Sequence, residues 1–156
     1  MRRRAFIAVA SIAGLSLAAR AEDQDAKTLA QSILDKGAAS FDKHDAAAMA
    51  ATYTEDAQLE WIEKDSASGA IKIDTKKGRE EIEALYRDLF KDSKEATTSK
   101  NTVEYARFVG SELLVIEGEF QPNVANEGKF HFIQIRLKQG DKWLMRSLQL
   151  FVIGKD

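Results

Sequence analysis

The side chain with the most to offer a reaction is His131. Between Lys129 and Leu137, His131, Ile133, Ile135 and Leu137 share one face of a strand, and Phe130, Phe132, Gln134 and Arg136 share the other. The first set is the more apolar, which turns it inward and puts His131 at the end of a greasy face. An imidazole there titrates near neutral pH and can serve as a general acid or base. The same position equally suits a hydrogen-bonded wall residue or a solvated strand end. Tyr53, Trp61, Tyr105 and Phe120 supply aromatic surface of the kind that lines an apolar small-molecule pocket, with Tyr86 and Phe90 better suited to plain core packing. Glu117 and Glu119 look like a carboxylate pair. They alternate, however, with Leu114, Ile116, Gly118 and Phe120, so they belong on an outer face, where Arg136 or Arg146 could pair with them across the sheet.

Other chemistries are excluded by residue type. Two distant histidines, His44 and His131, and no cysteine give neither a transition-metal cluster nor a thiol nucleophile, and no calcium-loop spacing occurs. A phosphate-cradling glycine loop and a nucleophile elbow are also missing, so no cofactor and no metal is expected.

The elements that must position these residues can be read in order. Lys27 to Asp42 repeats Leu29, Ala30, Ile33, Leu34, Gly37, Ala38 and Phe41 at helical spacing, with a polar face of Lys27, Gln31, Asp35 and Lys36. Asp45 can accept a bond from the free amides of a short second helix with Ala46, Met49, Ala50 and Tyr53 on its inner side. Ala57 to Ile62 alternates like a half-buried strand, Asp65 to Gly69 is turn-like, and Ala70 to Ile73 is a hairpin partner. Gly78 to Phe90 is a helix, with Ile82, Leu85, Tyr86, Leu89 and Phe90 on one side and Glu80 and Glu81 in its first turn. Thr102 to Val109, Glu112 to Phe120, Lys129 to Leu137 and Lys142 to Val152 are strands, and their short connections make neighbours antiparallel.

The chain has 156 residues, 44% of them hydrophobic, enough for one packed domain without staples. Residues 1–21 fall outside it. Arg2-Arg3-Arg4, a weakly apolar run from Ala5 to Ala19 and the small residues of Ala19-Arg20-Ala21 have the three parts of an export signal cleaved before Glu22. The run is too short and too interrupted to form a membrane span. Arg3-Arg4-Ala5-Phe6-Ile7 is similar to a twin-arginine signal, and general secretion serves as well. Both routes predict a periplasmic or secreted protein. Losing Arg2, Arg3, Arg4 and Arg20 leaves 19 of the 23 basic residues against 25 acidic ones, a net charge of −6. With no basic stripe, that balance excludes nucleic acid as a partner.

The order of elements, with Asp45 and Ala46 to Tyr53 leading to Asp56-Ala57, then Lys77-Gly78-Arg79-Glu80-Glu81-Ile82, Gly118, and Gly140-Asp141-Lys142-Trp143, resembles the SnoaL-like branch of the nuclear transport factor 2-like superfamily over roughly Ala26 to Ile153. The resemblance implies an α+β cone: a curved antiparallel sheet wrapped around about three helices, a pocket inside, and commonly a homodimer packed through the sheet. The family register would turn Trp143, Met145, Ser147, Gln149 and Phe151 inward, so that Gln149 offers an amide either to a ligand or to a neighbouring strand. The ketosteroid isomerases of this superfamily carry a tyrosine and an aspartate where this chain has Gly37 and Trp61, which argues against their mechanism. Three functions stay open. The cone could bind a small apolar or carbonyl-bearing ligand. It could be a cofactor-independent lyase, isomerase or cyclase, with His131 as acid/base and Tyr53 or Tyr105 and Gln149 polarising the substrate. It could also be a homodimeric interaction module with a vestigial pocket. A pocket filled by Trp61, Tyr105 and Phe120 would remove the first two.

Overall fold

A computed structural model describes residues 13–91, 98–122 and 128–153. Helices α1 (Ala13–Asp42) and α2 (Ala46–Ala50) lead into strands β1 (Tyr53–Lys64) and β2 (Ile71–Lys77). Helix α3 (Gly78–Phe90) and strands β3 (Lys100–Val109), β4 (Leu113–Gln121), β5 (Phe130–Gln139) and β6 (Lys142–Ile153) complete the chain. All six strands form one sheet in the order β2-β1-β6-β5-β4-β3. Every pair is antiparallel except β1 and β6, which run parallel. That one parallel contact joins the first hairpin to the C-terminal meander and makes a single layer on which the helices lie.

The corner from α1 to β1 is held locally. His44 turns the chain with φ 55, and the Asp45 side chain accepts from Ala48 N at 2.9 Å, satisfying an amide that the short helix leaves free. Lys77 N donates to Glu81 Oε2 at 2.9 Å across the start of α3, where Gly78 takes φ 81 and an added Cβ would lie 3.4 Å from Glu55 O. Arg79 donates from Nε (3.1 Å) and Nη2 (2.6 Å) to the Tyr53 carbonyl, fastening α3 to the first residue of β1. The core then fills from both layers: Ala26, Ala30 and Leu34 of α1, Ile82, Tyr86 and Phe90 of α3, and Leu59, Val103, Leu114, Ile116, Phe132, Met145 and Leu148 of the sheet.

The polar face expected on α1 does more than meet water. Strand β3 is one edge of the sheet, and α1 covers it. Gln31 donates to Asn101 O at 3.0 Å and accepts from Val103 N at 3.1 Å, so one side chain stands in for a missing neighbour strand. Helix α1 also runs unbroken through the expected cleavage point between Ala21 and Glu22. Residues 1–12, with the basic start and much of the apolar run of the expected signal, lie outside the described residues. Among the described residues no helix is long and apolar enough to cross a membrane.

Three strands carry irregularities that reset which side chains face the helices. In β3 the register shifts between Val103 and Tyr105, leaving Glu104 as the extra residue. In β6 it shifts at Arg146, between the pairs Ile135↔Ser147 and Arg136↔Met145. In β1 it shifts between Tyr53 and Gln58. An extra residue exchanges the two faces of everything beyond it, because side chains alternate with period two.

Candidate functional site

Between sheet and helices lies a cavity of about 820 Å³. Cross-strand rows build its sheet wall. One row is Arg136, Met145 and Tyr53; the next is Gln134, Leu148 and Leu59; the third is Phe132, Leu150 and Trp61. Leu114, Ile116 and Gly118 continue the rows on β4 beyond the lining. Leu29, Ile33, Gly37 and Phe41 of α1, Met49 of α2, and Leu85 and Tyr86 of α3 close the opposite side. Exposed lining residues, Ser32 and Lys36 on α1, Leu89 on α3, Asp141 in the β5–β6 turn and Lys142 at the start of β6, mark where the cavity meets solvent. Aromatic rings gather near one end. Trp61 lies 5.8 Å from Phe130, Phe130 stacks on Phe120 at 6.4 Å, and Phe120 meets Phe41 edge-on at 5.1 Å.

The other end is polar and buried. Tyr53 and Tyr86 share a hydrogen bond between their hydroxyls at 2.8 Å, and burial pushes both phenols above their ordinary pKa. Arg136 is only 4% exposed. It donates from Nε to Gln134 Oε1 at 2.9 Å and from Nη1 to the Trp143 carbonyl at 3.1 Å. Both partners are neutral. Burial pulls the guanidinium from its ordinary value down to about 10, partly opposed by electrostatic interaction with Tyr53 and Tyr86.

The structure sorts the candidate residues sharply. Tyr53, Trp61 and Phe120 line the cavity. Gly37 and Trp61, where the resemblance would place the isomerase tyrosine and aspartate, both line it. Rings do not fill the space: Tyr105, 42% exposed, points away from it. Tyr105 shares parity with the buried Val103, and the extra residue Glu104 turns it outward while turning Ala106 and Phe108 in. Gln149 is moved in the same way by Arg146. Before that bulge Trp143 and Met145 face in; after it Leu148 and Leu150 do, and Gln149 sits on the outer face donating to Glu60 Oε2 at 2.8 Å.

His131 is the plainest correction. It lies on the exposed outer face of β5, with 54% of its side chain accessible and its Nε2 3.8 Å from Glu119. The inward set is the other one, Phe130, Phe132, Gln134 and Arg136. Strand β5 carries apolar residues on both faces, so their number does not identify the inward one. Glu119 likewise pairs with neither Arg136 nor Arg146. It accepts from Lys129 at 2.6 Å, a bond that holds its carboxyl below the ordinary value, while Arg146 takes Asp56 at 3.3 Å. Glu104, Glu119 and His131 bring their ligand-type atoms within 4.8 Å of one another out there, and Lys129 offsets the charge of Glu119.

Sequence reasoning missed Arg136, Gln134 and the bond between the Tyr53 and Tyr86 hydroxyls. One signal could have found the first two. Leu114, Ile116, Gly118 and Phe120 read correctly as inward, and an antiparallel partner in register with them must present Arg136, Gln134, Phe132 and Phe130 on the same side.

No family model matches this sequence, and no curated protein matches it. Solved structures do resemble it. A protein of unknown function from Shewanella oneidensis MR-1, described as nuclear transport factor 2-like, superposes with TM-score 0.61 at 16% identity, covering 78% of this chain and 94% of the other. A cystatin-like domain of unknown function from Nostoc punctiforme PCC 73102 gives 0.59 at 17%, covering 81% and 76%. A scytalone dehydratase-like protein from Novosphingobium aromaticivorans DSM 12444 gives 0.59 at 12%, covering 87% and 83%. At these identities the likeness establishes the fold, the nuclear transport factor 2-like cone, and leaves the activity to the residues of this chain.

Proposed function

We propose that this chain is an exported ligand-binding domain whose cone holds a small, largely apolar molecule. One observation carries the reading: an open cavity of about 820 Å³ walled by Trp61, Phe120, Phe130, Phe41 and aliphatic side chains. That volume is within the range of ligand pockets for drug-sized molecules. Binding is favoured over proton-transfer catalysis because the described interior lining holds no carboxylate or imidazole; Asp141 is exposed in a turn and His131 faces outward. The leader-like start supports a site of action in the periplasm or outside the cell, testable by N-terminal sequencing of the exported protein, which should begin at Glu22.

A blocked cavity tests the binding reading. A Cβ on Gly37 would meet nothing within 4 Å, and the residue lines the cavity. Gly37→Phe should therefore fill the pocket without a backbone clash. The replacement also removes a helix-interior glycine, which costs roughly 1 kcal/mol relative to good helix formers. We expect N-phenyl-1-naphthylamine, a neutral apolar fluorophore, to bind the natural chain and to bind G37F at least tenfold more weakly, with the variant no less stable. Equal binding by both would move the ligand out of the cone.

A second proposal concerns partners: the domain pairs with a copy of itself through the outer face of the sheet. Leu113, Leu137, Val115, Ile135 and Ile133 form a continuous apolar surface there that the single chain leaves half-buried.

A further inference from the structure

We propose that Arg136 anchors a negatively charged end group, so that the cone selects amphipathic organic carboxylates with an aromatic or aliphatic body over neutral apolar molecules. The proposal rests on the cone being a ligand pocket and adds to that reading the class of molecule the pocket takes.

The contrast among arginines is the starting point. Arg79, Arg87 and Arg146 have side chains between 31% and 67% exposed, and each holds a carboxylate, respectively that of Glu55, Glu83 and Asp56. Arg136 is far more deeply buried and holds none among the described residues. A guanidinium withdrawn from water without a counter-charge is costly, and such groups are ordinarily paired.

Donor accounting shows where its partner belongs. Nε and one Nη1 proton are committed to Gln134 and Trp143, while Nη2 makes no hydrogen bond among the described residues. The only buried side-chain polar atom lacking a partner there is Ser99 Oγ, so the Nη2 group touches open space. That space is the cavity, which Arg136 lines. Nη2, with the second proton of Nη1, has donors enough to receive both oxygens of a carboxylate.

The surroundings extend the site. Tyr53 lies in the same cross-strand row, two strands from Arg136, with Met145 between them. The linked Tyr53 and Tyr86 hydroxyls retain one proton beyond the bond they share, a further donor toward an anion. The aromatic group at Trp61, Phe120 and Phe130 lies toward the opposite end of β5. Phe130 is six residues from Arg136 along that strand, about 20 Å at ~3.4 Å per residue. Charge at one end and rings at the other describe an amphipathic molecule.

The test uses a matched pair, 4-(1-pyrenyl)butyrate and 4-(1-pyrenyl)butanol, titrated by fluorescence at pH 7. The natural chain should prefer the carboxylate at least tenfold. Arg136→Met should keep alcohol binding within about threefold and abolish the preference, and Arg136→Lys should keep part of it; circular dichroism confirms that both variants fold. Equal affinity of the natural chain for the two probes would overturn the proposal with no variant needed, as would a preference that survives in R136M. Binding of neither probe, or binding that is untouched in G37F, would instead overturn the cone as the binding site.

Discussion

Arg136 inverts the usual relation between burial and stability. A paired buried charge is lost at great cost, but an unpaired one is itself a cost, and apolar residues of similar length commonly replace such groups without penalty. Arg136→Met should accordingly leave the urea midpoint unchanged or raise stability by about 1–2 kcal/mol, even as it removes the anion anchor. A loss of more than ~2 kcal/mol would mean that the bonds to Gln134 and Trp143 are the residue's purpose. The pH profile gives a second handle. The Arg136 cation titrates at about 10, below the ordinary arginine range, whereas Tyr53 and Tyr86 are shifted above theirs. Raising the pH therefore discharges Arg136 while both phenols are still protonated. Carboxylate affinity should hold steady from pH 6 to 9 and fall as pH rises through about 10, while affinity for the matched alcohol stays level. An affinity that falls near neutrality instead would assign the response to another group.

At the level of elements, the strands were legible and their faces only partly so. Helical spacing located α3 to the residue, and alternation found β4 and its inward set. Bulges have no reliable signature in a single chain, and those at Glu104 and Arg146 are what sent Tyr105 and Gln149 outward. His131 failed differently: both faces of β5 are apolar, one against the helices and one turned outward, so hydrophobicity could not choose between them. Arg136 escaped for the same reason, since a charged residue argues for the solvent side unless function holds it inside. Two further features of these elements make predictions. A Cβ on Gly118 would sit 2.2 Å from Thr102 O, a backbone atom beside the β3 bulge, and 3.0 Å from Phe132. Gly118→Ala should cost about 2–3 kcal/mol in urea unfolding, the upper part of the range for overpacking; a cost below ~0.5 kcal/mol would show that the bulge gives way. Gln31→Ala should cost about 1–2 kcal/mol, chiefly for the two bonds to β3 that go with its exposed bond to Asp35, and speed amide exchange at Val103 relative to the paired strand β4. An unchanged exchange rate at Val103 would mean that α1 packing, not Gln31, protects that edge.

Taken whole, the molecule has two apolar surfaces on one sheet, and each would answer to a different partner. The inner one is curved over the cavity and closed by helices. The outer one carries Leu113 beside Leu137 and Val115 beside Ile135, with Ile133 adjoining and the Glu119–Lys129 pair farther along β4 and β5. An apolar centre beside charged groups is the composition of an interface between like subunits. Such a contact would separate oligomerisation from binding, because outer-face side chains do not reach the cavity. Ile135→Arg tests both halves of that claim. In sedimentation velocity the natural domain should be a dimer at micromolar concentration, and I135R should sediment as a monomer, because an unpaired guanidinium would be buried at the contact. A dissociation constant raised at least ~100-fold, about 2.7 kcal/mol, is expected. N-phenyl-1-naphthylamine affinity should stay within about threefold of the natural value, since Ile135 lies opposite the lining side of β5, between Gln134 and Arg136. A natural chain that sediments as a monomer at tens of micromolar would remove the dimer. A variant that loses dimerisation and probe binding together would show that pairing shapes the cone.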